Sequence, residues 1–345
     1  MAWTNRRSQD TFIPSWQRND MRVLDLFCGG GLSSQGVHDA GGITVAGVDI
    51  DAYARSVFAA NNPGARLYDC RVEDLDPSLI EAECGAIDAI VASPVCTHHS
   101  IALGNKPKDT VTLETALGVL KFAGVLRPKM IIIENVEKMR SWSRYPELLG
   151  GLARHGYSVT QHVLDASDYG VPQSRERLFL VCILNGTAPA SIPALRHDRP
   201  TVRSILDPKG RWPTKLLADK AASTRKRAGR GIEALGPNEA FITVYYGSDG
   251  AGWQSLDRPL RTVTTLGRFA LVEPGPQGHT IRMLQVEELK RAMGLPSSFK
   301  LGSGTVRSQT KVIGNGVCAP VMEAVFREAA ISAGLIARPD SAIAA

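Results

Sequence analysis

Four stretches of the chain carry side chains whose types and spacing could do chemistry. Asp25-Leu-Phe-Cys-Gly-Gly-Gly-Leu-Ser-Ser-Gln-Gly36 reads as a strand end, a glycine turn and a helix start. Glycines let a bound group approach the backbone, and a helix N-terminus presents free N–H groups. Many nucleotide sites share such a turn. Asp49 ends the next apolar run, the usual place for an acid that binds ribose hydroxyls. Asp69 closes a shorter apolar segment and could accept from an adenine amino group. Taken singly, either acid reads better as a helix cap or a surface turn.

Ser93-Pro-Val-Cys-Thr-His-His-Ser100 follows a second kind of apolar run, one that ends without glycine. A cysteine on a loop at a strand end is unlike a core thiol, and His98, His99 or a helix N-terminus could favour its thiolate. An incidental Cys96 is the competing reading. The two histidines have no third and fourth ligand at metal spacing, so no metal site is expected. Glu134-Asn-Val136 ends another apolar run. A carboxyl buried there is costly unless paired or protonated, and a raised pKa would make it a proton donor. The alternative is a helix-capping Glu134. Finally, Tyr169-Gly-Val-Pro-Gln-Ser-Arg-Glu-Arg-Leu178 puts Arg175 and Arg177 on alternate positions, hence on one face if extended. Paired arginines can bind a phosphate and a carbonyl oxygen; a surface ion-pair ladder with Glu176 is the plainer account.

These residues need a scaffold that brings strand ends together. Val23 to Phe27, Val45 to Asp49, Ile87 to Ala92, Met130 to Ile133 and Leu178 to Leu184 are strand candidates, and Thr112 to Leu126 is a helix candidate. The alternation predicts an α/β fold: a mostly parallel sheet with helices on both faces, whose ligands sit beyond the carboxyl ends of the strands. After Asn185 three prolines mark a linker, and the texture becomes irregular, with strand-like Phe241 to Tyr246 and Thr262 to Thr265. A helix is expected over Gln285 to Met293, and another after Gly314-Asn-Gly316.

Of 345 residues, 43% are hydrophobic and 21% charged, ordinary for a globular protein with a substantial core. No apolar run is long enough to span a bilayer, and the first twenty residues lack a secretory pattern. The six cysteines form no Cys-x-x-Cys pair, so a cytoplasmic chain with reduced thiols is expected. The net charge of +6 is unevenly spread. Residues 196–230 hold eleven Lys or Arg against three Asp, a local excess of +8 on a slightly acidic remainder. Such a segment suits a phosphate-binding face, or equally a solvated basic face.

In their order, these segments resemble the cytosine-5 DNA methyltransferase family over roughly residues 21–328. The resemblance rests on Asp-Leu-Phe-Cys-Gly, Val-Asp-Ile-Asp, Pro-x-Cys, Glu-Asn-Val, Gln-x-Arg-x-Arg, Arg258-Pro-Leu-Arg-Thr-Val263 and Gly314-Asn-Gly-Val317. It implies a Rossmann-like S-adenosylmethionine-dependent sheet with a smaller irregular target-recognition domain. The implied division is a tail over 1–20, a catalytic and cofactor domain over 21–185, a recognition domain over 186–284 with its variable part near 186–257, a return over 285–330, and a tail over 331–345. Cys96 matches the nucleophile that adds to carbon 6 of a flipped-out cytosine, and Glu134 the group that meets ring nitrogen 3. Arg177 matches the contact to the cytosine carbonyl; Arg175 and Ser100 match positions near a backbone phosphate or the catalytic loop. Phe27, Gly29, Gly31, Asp49, Ile50, Asp69, Asn315 and Val317 match cofactor positions. Arg225, Lys226 and Arg227 are the expected DNA contacts in the basic segment.

The resemblance further implies double-stranded DNA as partner, a monomer, no metal, and any restriction endonuclease as a separate chain, in a bacterial or phage-type cytoplasm near the nucleoid. Four positions depart from the family pattern: Val95 stands for proline, Thr97 for glutamine, Leu32 for glycine and Val312 for glutamine. Two other readings compete, the same chemistry on tRNA and a non-catalytic DNA-binding homologue. A nicotinamide enzyme would explain the glycines and Asp49 but not the later motifs.

Overall fold

The computed structural model describes residues 21–94, 111–246 and 252–338. Its main sheet starts with β1 (Met21–Leu26), then α1 (Leu32–Asp39), β2 (Gly42–Val48), α2 (Ala52–Asn61), β3 (Arg66–Tyr68), α3 (Pro77–Cys84) and β4 (Ala89–Ala92). It continues through α4 (Val111–Leu126), β5 (Met130–Asn135), α5 (Tyr145–Arg154), β6 (Tyr157–Asp165) and β7 (Glu176–Leu184). The strand order is β3-β2-β1-β4-β5-β7-β6. β1 to β5 are parallel, whereas β7 runs antiparallel to both β5 and β6.

The central strands read as unbroken apolar runs because both of their faces are covered. In β5, Met130 and Ile132 enter one core while Ile131 and Ile133 enter the other; in β7, Phe179, Val181 and Ile183 oppose Leu178, Leu180 and Cys182 in the same way. Each fully buried side chain of this size contributes about 1.5–3 kcal/mol relative to exposure. Glu134 and Asn135 belong to β5 itself and not to the turn beyond it, so the sheet's own ladder fixes them.

A second, all-antiparallel sheet has the order β10-β9-β11-β12-β8. It comprises β8 (Lys215–Leu216), then after α6 (Ala222–Leu235) β9 (Phe241–Val244), β10 (Trp253–Ser255), β11 (Phe269–Glu273) and β12 (Thr280–Met283). The region after Asn185 is thus more regular than expected, with a small core of its own around Leu217, Ala228, Phe241, Ala270, Val272 and Ile281. Thr262 to Thr265 is not a strand. Side chains take the place of a ladder there: Val263 N–H donates to Gln173 Oε1 at 2.7 Å, and Thr262 Oγ1 donates to the Ser174 carbonyl at 3.0 Å.

The chain then returns through α7 (Val286–Ala292), α8 (Val306–Asn315) and α9 (Ala319–Ser332). Sequence reading missed α8, which ends within Gly314-Asn-Gly316, while α9 follows the glycines as expected. α9 packs on α1 so closely that a methyl at Gly36 would lie 2.5 Å from the Ala319 carbonyl. Among the described residues no helix is long and apolar enough to cross a membrane.

Candidate active site at the carboxyl edge of the sheet

The parallel strands β1, β2, β4 and β5 all end at one edge of the sheet, and antiparallel β7 begins there. This reversal puts Arg177, at the start of β7, beside Glu134, near the end of β5. Arg177 Nε lies 3.2 Å from Glu134 Oε1, and the acid's side chain is 8% exposed. Burial pushes the Glu134 carboxyl above its ordinary range, against the lowering effect of Arg177 and Arg175. A buried acid held near one arginine can keep a proton available for transfer.

The neighbouring Asn135 is an anchor that sequence reading quoted but did not assign. Its Nδ2 donates to the Pro94 carbonyl at 3.1 Å, and its Oδ1 accepts from the Val136 N–H at 2.8 Å. It ties the end of β5 to Pro94, just beyond β4 and two residues short of Cys96. Cys96, Ser100, His98, His99, Val95 and Thr97 lie outside the described residues.

Arg175 and Arg177 share a face, as their spacing predicted: both line a small cavity with Leu164, Phe179, Val317 and Cys318. Their roles differ. Arg175 is 3% exposed, and its guanidinium donates to the carbonyls of Val263, Gly314 and Gly316 at 2.9–3.0 Å. Burial, with Arg177 nearby, lowers its pKa to about 10. This geometry corrects the expectation of a phosphate contact, because the fork is spent on backbone oxygens of two segments that would otherwise be unsatisfied. It also rules out a surface ladder with Glu176. Gln173, another residue without an assigned role, is fully buried and bonds Ala292 O and the Val263 N–H. Its position two residues before Arg175 places it on the same face, which is the signal that could have found it.

At the other end of the same edge, β1 runs into the glycine turn. Phe27 is held at φ 59° and Gly29 at φ 50°, while Gly31 caps α1 at φ 80°. A phenylalanine in the left-handed region costs roughly 1–3 kcal/mol, and such strain clusters at functional sites. Asp49 braces the turn: its Oδ2 accepts from the Gly29 N–H and its Oδ1 from the Asp51 N–H, both at 2.8 Å. Next to it Ile50 is 60% exposed, an apolar side chain left open to solvent. Asp69 pairs with Arg55 at 2.5 Å and leaves most of its carboxylate in solvent. Beneath the turn, buried Asp25 accepts from Ser34 Oγ at 2.7 Å, and desolvation raises its pKa to about 7. Asn315 is exposed at the end of α8, whereas Val317 is buried in the cavity wall behind Arg177.

The basic segment divides. Arg196, Arg199, Arg203 and Arg211 pair with Glu323, Asp168, Asp257 and Asp207. Arg225 and Lys226 on α6 are exposed. Arg227 is not a free DNA contact: it donates to the Val244 carbonyl at 2.6 Å and lies 5.4 Å over the Tyr245 ring. No cluster of three or more metal-type ligands exists among the described residues.

Comparison with known proteins gives the family and the fold. The model for the C-5 cytosine-specific DNA methylase family matches residues 21–330. The chain is 28% identical to the Type II methyltransferase M.DdeI of Desulfomicrobium norvegicum, covering 85% of this chain and 69% of that one. It is also 28% identical to the Type II methyltransferase M.HindV of Haemophilus influenzae, covering 90% and 96%. Among solved structures, the Dnmt2 methyltransferase of S. pombe superposes with a TM-score of 0.67 at 17% identity, covering 90% of this chain and 98% of that one. A putative DNA modification methyltransferase from an E. coli prophage gives 0.65 at 18%, with the same coverage. The last two likenesses concern the fold.

Proposed function

Because the chain belongs to the C-5 cytosine-specific DNA methylase family, we propose that it moves a methyl group from S-adenosylmethionine to carbon 5 of a cytosine flipped out of duplex DNA, through a covalent Cys96 adduct. The observation that carries the reading is the buried Glu134 held 3.2 Å from Arg177 at the strand edge that leads to Cys96.

The chemistry explains why these residues meet. Carbon 5 of cytosine is a poor nucleophile. Addition of the Cys96 thiolate to carbon 6 breaks the ring's aromaticity and pushes electron density toward carbon 5. Glu134, whose carboxyl burial shifts toward the protonated form, supplies a hydrogen bond or proton to ring nitrogen 3 as charge develops. Arg177 takes the ring carbonyl oxygen while steadying Glu134. After transfer, carbon 5 loses its proton and the cysteine sulfur leaves. Asn135 sets where the Cys96 loop departs from β4.

The glycine-turn cleft fits the proposed cofactor. A methyl added at Gly29 would point into open space, so the backbone is approachable there. Each Asp49 oxygen keeps a lone pair for a ribose hydroxyl beyond its N–H bond. Ile50 offers an apolar surface for the adenine, and Asp69 an acceptor for its amino group. S-adenosylmethionine, when bound, supplies an electrophilic methyl group on sulfonium. The second sheet and its basic α6 are read as the target-recognition unit, with Arg225 and Lys226 on phosphate. The Type II names of the two curated relatives support a place in restriction–modification, with any endonuclease a separate chain. We read the enzyme as a monomer.

The test is transfer of labelled methyl groups from S-adenosylmethionine to duplex DNA and to tRNA, with Cys96→Ala alongside and base-resolution sequencing of the products. Label in DNA that disappears in the variant supports the reading and reveals the target sequence. Label confined to tRNA, or DNA binding with no transfer on sequence-diverse duplexes, overturns it.

A further inference from the structure

Two glycines near the proposed cofactor cleft have no conformational need to be glycine. Gly30 and Gly316 are absent from the glycines with positive φ, and Gly316 sits at φ −76°. The nearest atom that excludes a side chain at each belongs to the other segment, with Val57 Cγ1 of α2 a second, looser neighbour of Gly30 at 3.2 Å. A methyl at Gly30 would lie 2.4 Å from Val312 Cγ1 on α8. A methyl at Gly316 would lie 2.2 Å from Leu32 Cδ2 in the first turn of α1. Each segment therefore offers one bare backbone position and one apolar side chain, and each side chain fills the space over the other segment's bare position. Leu32 is 2% exposed and Val312 6%.

The two segments lie directly against each other. Gly29, braced by Asp49, precedes Gly30 on one; Asn315 lies between Val312 and Gly316 on the other. The residues around α8 are also fastened to α2. Lys311 pairs with Asp51 at 2.6 Å, Tyr53 donates to the Leu301 carbonyl at 2.5 Å, and Asn61 exchanges two bonds with the Lys300 backbone. Those contacts are at the rim and partly in solvent, so they hold the segment without fixing its depth. Packed apolar contacts are intolerant of a methyl either way, and they do fix depth.

We propose that Leu32 and Val312 are positioning residues, a reciprocal seat that sets the spacing between the glycine turn and Asn315 and so the affinity for S-adenosylmethionine. The inference rests on the cofactor assignment above. It concerns binding and leaves the chemical step to the residues at the other end of the sheet edge.

Size-swap variants of the full chain test it, read by calorimetric S-adenosylmethionine binding, thermal unfolding, and kcat against KM. Gly30→Ala should weaken binding about tenfold or more, and adding Val312→Ala should restore it to within about threefold of wild type. Leu32→Ala should not rescue Gly30→Ala, because Leu32 Cδ1 is 3.5 Å from the new methyl, an ordinary contact. Leu32→Ala and Val312→Ala alone should each raise Kd and KM about five- to tenfold with kcat nearly unchanged, and their double variant should cost less than the product of the two. Rescue of Gly30→Ala by Leu32→Ala as well as by Val312→Ala overturns the pairing. Single variants that lower the unfolding midpoint yet bind with wild-type Kd reduce the seat to a stability contact. A wild-type chain that binds no S-adenosylmethionine overturns the cofactor assignment itself, and with it the seat's function.

Discussion

Glu134→Gln keeps the outline of the side chain and removes its proton-donating ability. Its buried setting decides the size of the effect. With 8% of the side chain exposed and Arg177 Nε at 3.2 Å, bulk water has little room to substitute as the donor to ring nitrogen 3. Loss of a positioned acid costs roughly 10²- to 10⁴-fold in rate, about 3–5 kcal/mol of transition-state stabilisation. The expected result is a kcat lower by at least about a hundredfold, with KM for the cofactor within about threefold. Stability should move differently. Burial holds the folded carboxyl above its ordinary value. Such a group favours folding while protonated, below its unfolded value of about 4.3, and that contribution is lost as pH rises through the folded value. Ionising the buried group is therefore a cost that grows as pH rises, and uncharged glutamine removes it. Initial rates with labelled cofactor and duplex DNA, beside thermal unfolding at pH 5 and pH 8, check both halves. The variant's midpoint should equal or exceed wild type at pH 8 and lose ground at pH 5. A kcat within about threefold of wild type would refute the role given to Glu134.

Arg175→Met should be mainly a stability variant: three buried carbonyls lose their donor, at about 1–3 kcal/mol each, so denaturant midpoints should fall further than for Arg177→Met. Arg177→Met should spare most stability and lower kcat/KM by about a hundredfold or more. Asn135→Ala frees the Pro94 carbonyl that anchors the Cys96 loop; kcat should drop about tenfold with cofactor Kd unchanged, measured by steady-state rates and calorimetry. Arg225→Ala with Lys226→Ala should reduce the salt slope of DNA binding by about two, whereas Arg227→Ala should leave the slope alone and lower the unfolding midpoint.

The elements legible in the sequence were those whose burial is written in composition. β1, β4 and β5 are apolar because helices cover both faces, and the residues just past or at their ends were easily found as site candidates. What could not be read was the use of individual polar side chains. Arg175 and Arg177 look alike two positions apart, yet one is consumed by backbone carbonyls and the other by an acid. Arg225 and Arg227 each donate to a backbone carbonyl, yet only the second is half-buried and reaches the Tyr245 ring. Thr262 to Thr265 carries the β-branched residues of a strand, but Gln173 and Arg175 side chains satisfy its backbone instead of a neighbouring strand. The α8 pattern Val-Arg-Ser-Gln-Thr-Lys-Val-Ile is too polar to announce a helix, since only a narrow stripe of it meets the cleft.

The reversed direction of β7 has a bearing on how such a chain tolerates change. Glu134 and Arg177 are brought together by one register, Glu134 opposite Phe179 and Asn135 opposite Leu178, whatever lies between the two strands. The intervening excursion through α5 and β6 turns back at His155 and Gly156, at the end of the sheet remote from the pocket. Length added at that far turn does not alter the strand register that aligns Glu134 with Arg177, whereas one residue added between Gln173 and Leu178 would shift Arg177 to the opposite face. The fold thus separates a stretch free to drift from one held to the residue, within one excursion between β5 and β7.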